Sequence, residues 1–293
     1  MSEEYIKLVD MAFKIFNDQM HTDYSRENVD VKFITAETPD EEIAEFLAQF
    51  PDACEEAMFE RGYYKQIKGE ALVTPGRYGI ILRTDIEDKR LYWRHLVFHE
   101  ISHIFCSTHE LKDGSSFYKR YCADEAGGSA LNGEVCSGYA IWREFAADFL
   151  AILVDVAMPD PTLRGNSKEI SQELEAIAKG EPFIKTRIKT VLLYTLVTSD
   201  VMDEPDRESS LKKLDRFKQL QTKSWKVLLG NVYDQMFDED KDFWEIDYEF
   251  IKTIGENYMS VALEVVQDLL GDNYSVEEGN RIMRRMISGV EER

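Results

Sequence analysis

The sequence predicts an α+β protein: a small twisted sheet set among helices in its first half, then a mostly α-helical second half. Three observations support this class. Val29-Asp30-Val31-Lys32-Phe33-Ile34 alternates apolar and polar residues, the period of a strand with one buried face. Ala71-Leu72-Val73 and Tyr78-Gly79-Ile80-Ile81-Leu82 flank a Pro75-Gly76 turn and form a pair of strands. Beyond Pro159-Asp160-Pro161 the spacing of apolar residues becomes helical, punctuated at Gly180, Pro182, Pro205, Gly230 and Gly271.

Taken in order, residues 5–20 place Ile6, Val9, Phe13 and Phe16 at helical spacing, so an amphipathic helix opens the chain. The strand at 29–34 follows. Thr38-Pro39-Asp40-Glu41-Glu42 then starts a second helix, with Thr38 as N-cap and Pro39 in the first turn. The paired strands come next, and a helix through residues 93–105 follows them. The segment 107–137, which holds Asp113-Gly114 and Gly127-Gly128, reads as a long loop able to act as a lid. Another helix spans 139–151. Asn166 with Glu169, and Ser275 with Glu278, have the spacing of capping boxes. Segments 211–220 and 243–270 carry ordinary core-facing helical periodicity. The expected division is 1–165, the part that holds the sheet, and 166–293, a helical region either packed onto it or standing apart.

The 293 residues carry 56 acidic against 35 basic side chains, a formal charge of −21 that disfavours direct nucleic-acid binding. Hydrophobic residues at 44% supply a sizeable core. No run of about eighteen apolar residues exists to span a membrane. The start MSEEYIKLVD lacks the basic and apolar regions of a signal peptide. Cys54, Cys106, Cys122 and Cys136 show no CxxC spacing and read as reduced thiols, with a second metal near the last three as a minor alternative. These features together point to the cytoplasm; the oligomeric state is not encoded in any pattern.

The chemistry concentrates in Trp93-Arg94-His95-Leu96-Val97-Phe98-His99-Glu100-Ile101-Ser102-His103-Ile104-Phe105. Residues four apart share a helix face, so His99 and His103 can converge on one Zn2+ ion. Glu100 lies where it can reach a water on that ion, whose pKa zinc lowers towards about 7. Four of the five histidines fall between positions 95 and 109, a crowding that core histidines do not explain.

Two residues compete for the third ligand. His109 has metzincin spacing, HExxHxxGxxH, but Cys106 stands where that pattern turns on Gly. Glu144 is favoured. It lies four residues before Asp148 on an apolar helix, where an unpartnered carboxylate pair would be costly to bury. With Glu144 on the metal and Asp148 on the outer nitrogen of a ligand histidine, both are satisfied. A Tyr, His or Arg must stabilise the transition state, and Tyr139, Tyr121, His109 and His95 all remain open.

HExxH followed by Glu144-Phe145-Ala146-Ala147-Asp148 and then Met158-Pro159 resembles the gluzincins, in particular the ImmA/IrrE family of bacterial and phage peptidases. Asp148 replaces the family's Asn, Leu150 its Phe, two extra residues precede Met158-Pro159, and the span from His103 to Glu144 is longer. The resemblance covers about residues 1–160. It implies a minimal gluzincin fold, one Zn2+ per chain on His99, His103 and Glu144, and hydrolysis of an intracellular protein or peptide. It also implies an edge strand that pairs with an extended substrate, for which Tyr78, Ile80 and Leu82 in strand 78–83 are the candidates. The rival readings are a zinc-containing binding or regulatory protein whose helical C-terminal part is the functional unit, and a metal hydrolase of non-peptide substrates.

Overall fold

The computed structural model describes residues 3–51, 67–85, 90–122, 130–156, 223–236, 238–270, 275 and 277. Cys54, Gly127-Gly128, Met158-Pro159, the Asn166–Glu169 pair, residues 211–220, Glu278 and the expected cut at 165/166 lie outside them. The protein is α+β, mostly helical, with one small mixed sheet.

Helix α1 runs over Glu3–Met20 and buries Leu8, Val9, Ala12, Phe13 and Phe16, a stripe of helical period. Strand β1 is Val29–Ile34, as its alternation predicts. Helix α2 is Asp40–Leu47, but its cap differs from expectation. Pro39 itself occupies the N-cap, with no side-chain cap bond, while Thr38 Oγ1 accepts the backbone N–H of Thr35 at 2.8 Å. The hydroxyl closes the preceding turn instead of the helix. Strands β2 (Gly69–Thr74) and β3 (Arg77–Arg83) form the hairpin around Pro75-Gly76.

The sheet order is β1-β3-β2, with β1 parallel and β2 antiparallel to β3. Strand β3 is therefore central, and this corrects its assignment as the substrate-pairing edge. Tyr78, Ile80 and Leu82 pair with Val29, Val31 and Phe33 on one side and with Val73, Ala71 and Gly69 on the other. Ile80 and Leu82 are fully buried. A hydrophobic run such as 80–82 is what a strand covered on both sides requires.

Ile43, Phe46, Leu47 and Phe50 pack with Ile34, Leu72 and Ile81 to form one core cluster. On the other face Phe33 stacks on Trp93 at 6.2 Å, with Tyr5 against both rings. Helix α3, Arg90–His109, is indexed to the sheet there, because Trp93 Nε1 donates to the Arg83 carbonyl at 3.0 Å. It runs on past Cys106 without a turn. Thr108 Oγ1 donates to the Ile104 and Phe105 carbonyls at 3.1 and 2.9 Å, and Ser107 Oγ to that of His103 at 2.8 Å. The expected long loop is correspondingly shortened, since residues 118–122 form a π-helical turn and helix α4 already begins at Ala130 (Ala130–Val156). Helices α5 (Lys223–Met236) and α6 (Tyr248–Leu270) complete the described elements. Among the described residues no helix is long and apolar enough to cross a membrane.

Two compact units emerge: Met1–Thr108 with Ala146–Leu174, and His109–Phe145 with Glu175–Arg293. The segment 109–145 thus groups with α5 and α6. The first unit contains the sheet, α1, α2, nearly all of α3 and the later turns of α4. The second is organised around two features that sequence periodicity does not reveal. At the first, α4 and α6 meet backbone to backbone: a Cβ on Gly138 would lie 2.1 Å from the Ile251 carbonyl oxygen, and one on Gly255 1.9 Å from that of Glu134. Only glycine permits that approach.

The second feature is Glu110, which is 4% exposed. Its carboxylate accepts the Phe117 N–H at 2.7 Å and the Tyr139 hydroxyl at 2.9 Å, and its carbonyl accepts the Ile246 N–H at 2.9 Å. Burial pushes this carboxyl from its ordinary 4.5 up to about 7, against the lowering effect of those donors and of Arg143. The folded protein keeps a proton that the unfolded chain has already released, so stability falls as pH rises from 4.5 to about 7. Glu110→Gln is predicted to remove that slope. Chemical denaturation across this range should show the variant gaining on the wild type, by an amount on the order of 3 kcal/mol at the upper end. A constant difference at every pH would contradict it.

Candidate metal centre

Because α3 is a regular helix, His95, His99 and His103 stack one above another on one face. The opposite faces of the same turns bury Val97, Phe98, Ile101, Ile104 and Phe105, which fixes the helix in rotation. Helix α4 is uninterrupted across residues 144–155, so Glu144, Asp148 and Asp155 keep helical spacing along it.

Contacts run up α3 and down α4. Arg94 Nη2 lies 2.6 Å from Asp155 Oδ1 in a pair whose side chains are 5% and 13% exposed. Burial pushes the Asp155 carboxyl up, opposed by the positive charge of Arg94. One turn along, Asp148 accepts from His99 Nδ1 and faces His95 Nε2 at 3.4 Å through the same oxygen. Burial works to raise the Asp148 carboxyl, but the hydrogen bonds from His95 and His99 outweigh it and hold the group down at about 2. With its Nδ1–H committed to Asp148, His99 presents the lone pair of Nε2 on its other side.

That lone pair meets His103. The two Nε2 atoms stand 2.9 Å apart with the rings nearly perpendicular at 88°. Two nitrogens bonded to one zinc at about 2.0–2.1 Å in tetrahedral geometry sit a little over 3 Å apart. Glu144, four residues before Asp148, brings a carboxylate oxygen into the same group, and the ligand atoms of His99, His103 and Glu144 all lie within 4.8 Å of one another. Two imidazoles and one carboxylate are the donor set of a catalytic zinc site that leaves one position open. These three residues can hold a metal ion, and no cysteine joins them among the described residues.

Glu100 is 4% exposed and lies against the first residue of β2. A Cβ on residue 69 would stand 2.5 Å from Glu100 Oε1, so Gly69 leaves the space that the carboxylate occupies. The importance of Gly69 was not read from the sequence, and a lone glycine at a strand start gives no signal of it.

Other sequence candidates fall elsewhere. His109 is exposed on the last turn of α3, six residues past His103 and off the ligand face, and is not in the metal-holding group. Tyr139 is 6% exposed, stacks on Phe117 at 5.2 Å and donates to Glu110, so its hydroxyl is committed within the second unit. Tyr121 packs its ring on Phe117 and Tyr248. His95 is on the ligand face but supports Asp148.

No protein-family model, curated protein or solved structure matches the chain.

The Arg94–Asp155 pair should be costly to break and cheap to replace. Asp155→Ala removes the carboxylate that faces the buried Arg94 guanidinium and is predicted to lose about 3–5 kcal/mol in urea unfolding. The double change Arg94→Met/Asp155→Leu should recover most of that loss. Equal losses in the two variants would show that the ion pair does not set the energetics here.

Proposed function

We propose that this protein is a zinc-dependent peptidase of minimal gluzincin type, with His99, His103 and Glu144 as metal ligands and Glu100 as the general base. The observation that supports the reading is the facing pair of imidazole Nε2 atoms, backed by Asp148 and joined by Glu144. With a metal bound, each of these Nε2 atoms would turn its lone pair to the ion; without one, 2.9 Å suits a single N–H···N bond between them. Bound zinc would supply Lewis acidity and a water acidic enough to lose its proton near neutral pH.

Glu100 is one residue along the helix from His99 and therefore off the ligand stripe. In the proposed reaction it takes a proton from the attacking water and passes it to the departing amine nitrogen. Asp148 holds the His99 tautomer throughout, because its carboxylate stays ionised over the working pH range. Strand β2, at an edge of the sheet among the described residues and starting against Glu100, takes the place first given to β3 as the strand an extended peptide would pair with. The likeness to the ImmA/IrrE peptidases belongs to the same proposal and rests on the residues already quoted.

Glu100→Gln tests the assignment. The variant is predicted to keep its zinc while hydrolysis of an unstructured protein substrate falls by roughly 10²- to 10⁴-fold. Hydrolysis or biological activity unchanged by Glu100→Gln, with zinc retained, would favour the C-terminal helices as the functional unit instead. Gly69→Ala is a second test. Its Cβ displaces the flexible end of Glu100 and no backbone, so folding and zinc content should hold while kcat drops about 10²-fold. An unaltered kcat would remove Glu100 from the chemistry or Gly69 from its support.

A further inference from the structure

We propose that His95 is a positioning residue that holds Asp148 on His99, so that the working unit of α3 is His95-x-x-x-His99-Glu100-x-x-His103. The inference rests on the zinc assignment above and concerns how firmly the metal is kept. His95 lies one turn before His99 on the same face of α3. Its Nε2 faces Asp148 Oδ1 at 3.4 Å, the same oxygen that takes the His99 Nδ1–H. A ring nitrogen turned to a carboxylate carries its hydrogen there, so both imidazoles favour one ionised oxygen.

The neighbours sort these contacts. Asp155 lies seven residues after Asp148 and so on the same face of α4. Arg94 takes Asp155 at 2.6 Å, which leaves His95 to Asp148. The His95 side chain is 29% exposed, against 15% for His99 and 11% for Asp148, so it is the member of the three that water reaches first. At 3.4 Å its contact is long for a hydrogen bond, and its main effect is to fill the place from which water would solvate Asp148. With water there instead, the carboxylate would hold His99 less firmly, and the ring would be freer to turn and to exchange its tautomer. Two rings on one oxygen also oppose a flip of the carboxylate, which would break both contacts together.

Zinc affinity of the full chain, read by competition with a chromophoric chelator, tests this beside the NMR spectrum of ¹⁵N-labelled histidine in the metal-free protein. His95→Ala should bind zinc about 10-fold more weakly, the low end of what losing a group behind a metal ligand costs. Its His99 ring, with the proton fixed on Nδ1 in the wild type, should show exchange between tautomers. His95→Gln places an amide N–H where Nε2 stood and should restore both readouts, whereas His95→Asn is too short to do so. Far-UV spectra like that of the wild type establish that the three variants are folded. Affinity and His99 signals unchanged in His95→Ala, or equal losses in the Ala, Gln and Asn variants, would overturn the proposal. A wild type that takes up no zinc would contradict the metal assignment instead. The histidine spectrum then decides alone, and a His99 tautomer indifferent to His95→Ala overturns the positioning role.

Discussion

The site depends on one buried carboxylate. Asp148 sits between His95 and His99, ionised although 8% exposed, because two imidazoles donate to it in place of water. Its hydrogen bond decides which nitrogen of His99 carries the proton and therefore which faces His103. It also sets the position of α4 along α3, which places Glu144 one turn from the same point. Without Asp148, the Arg94–Asp155 pair would still join α3 and α4, but no carboxylate would meet His95 and His99 between them.

Helix and sheet serve this arrangement through a few long-range anchors. Trp93 ties the start of α3 to the last residue of β3, and the burial of Phe98, Ile101 and Phe105 sets its rotation. Gly69 then brings β2 as near to Glu100 as a strand can come. The histidine face and Glu100 thus lie on adjacent sides of one helix, each meeting a different neighbour: α4 on the histidine side, β2 on the Glu100 side.

Short-range patterns were legible in the sequence. The strand at 29–34, the hairpin at 69–83 and the amphipathic first helix follow from periods of two and 3.6 and from one Pro-Gly turn. That His99, His103 and Glu144 come together, with Asp148 against His99, was legible from i,i+4 spacing, but the cost of burying a carboxylate applies to Asp148 alone, because Glu144 is exposed. What sequence did not yield depends on contacts between distant residues. Strand order is one such case: the parallel β1–β3 pairing puts β3 in the middle and moves the edge to β2. Helix α3 runs uninterrupted through Cys106, with the Ser107 and Thr108 hydroxyls turned back onto carbonyls of the preceding turn, and it carries His109 off the ligand face. Glu110 and the Gly138–Gly255 crossing look like ordinary surface and turn residues until their partners are known. Thr38 had a suitable cap identity, but Pro39 took the cap and left its hydroxyl to the turn before.

The central claim is that His99, His103 and Glu144 together hold one metal ion. Zinc content per chain, measured on purified wild type, Glu144→Ala and His109→Ala prepared side by side, tests it most directly. The account predicts about one zinc in the wild type and in His109→Ala, and loss of zinc in Glu144→Ala. Zinc lost from His109→Ala but kept by Glu144→Ala, or no zinc in the wild type, would contradict it.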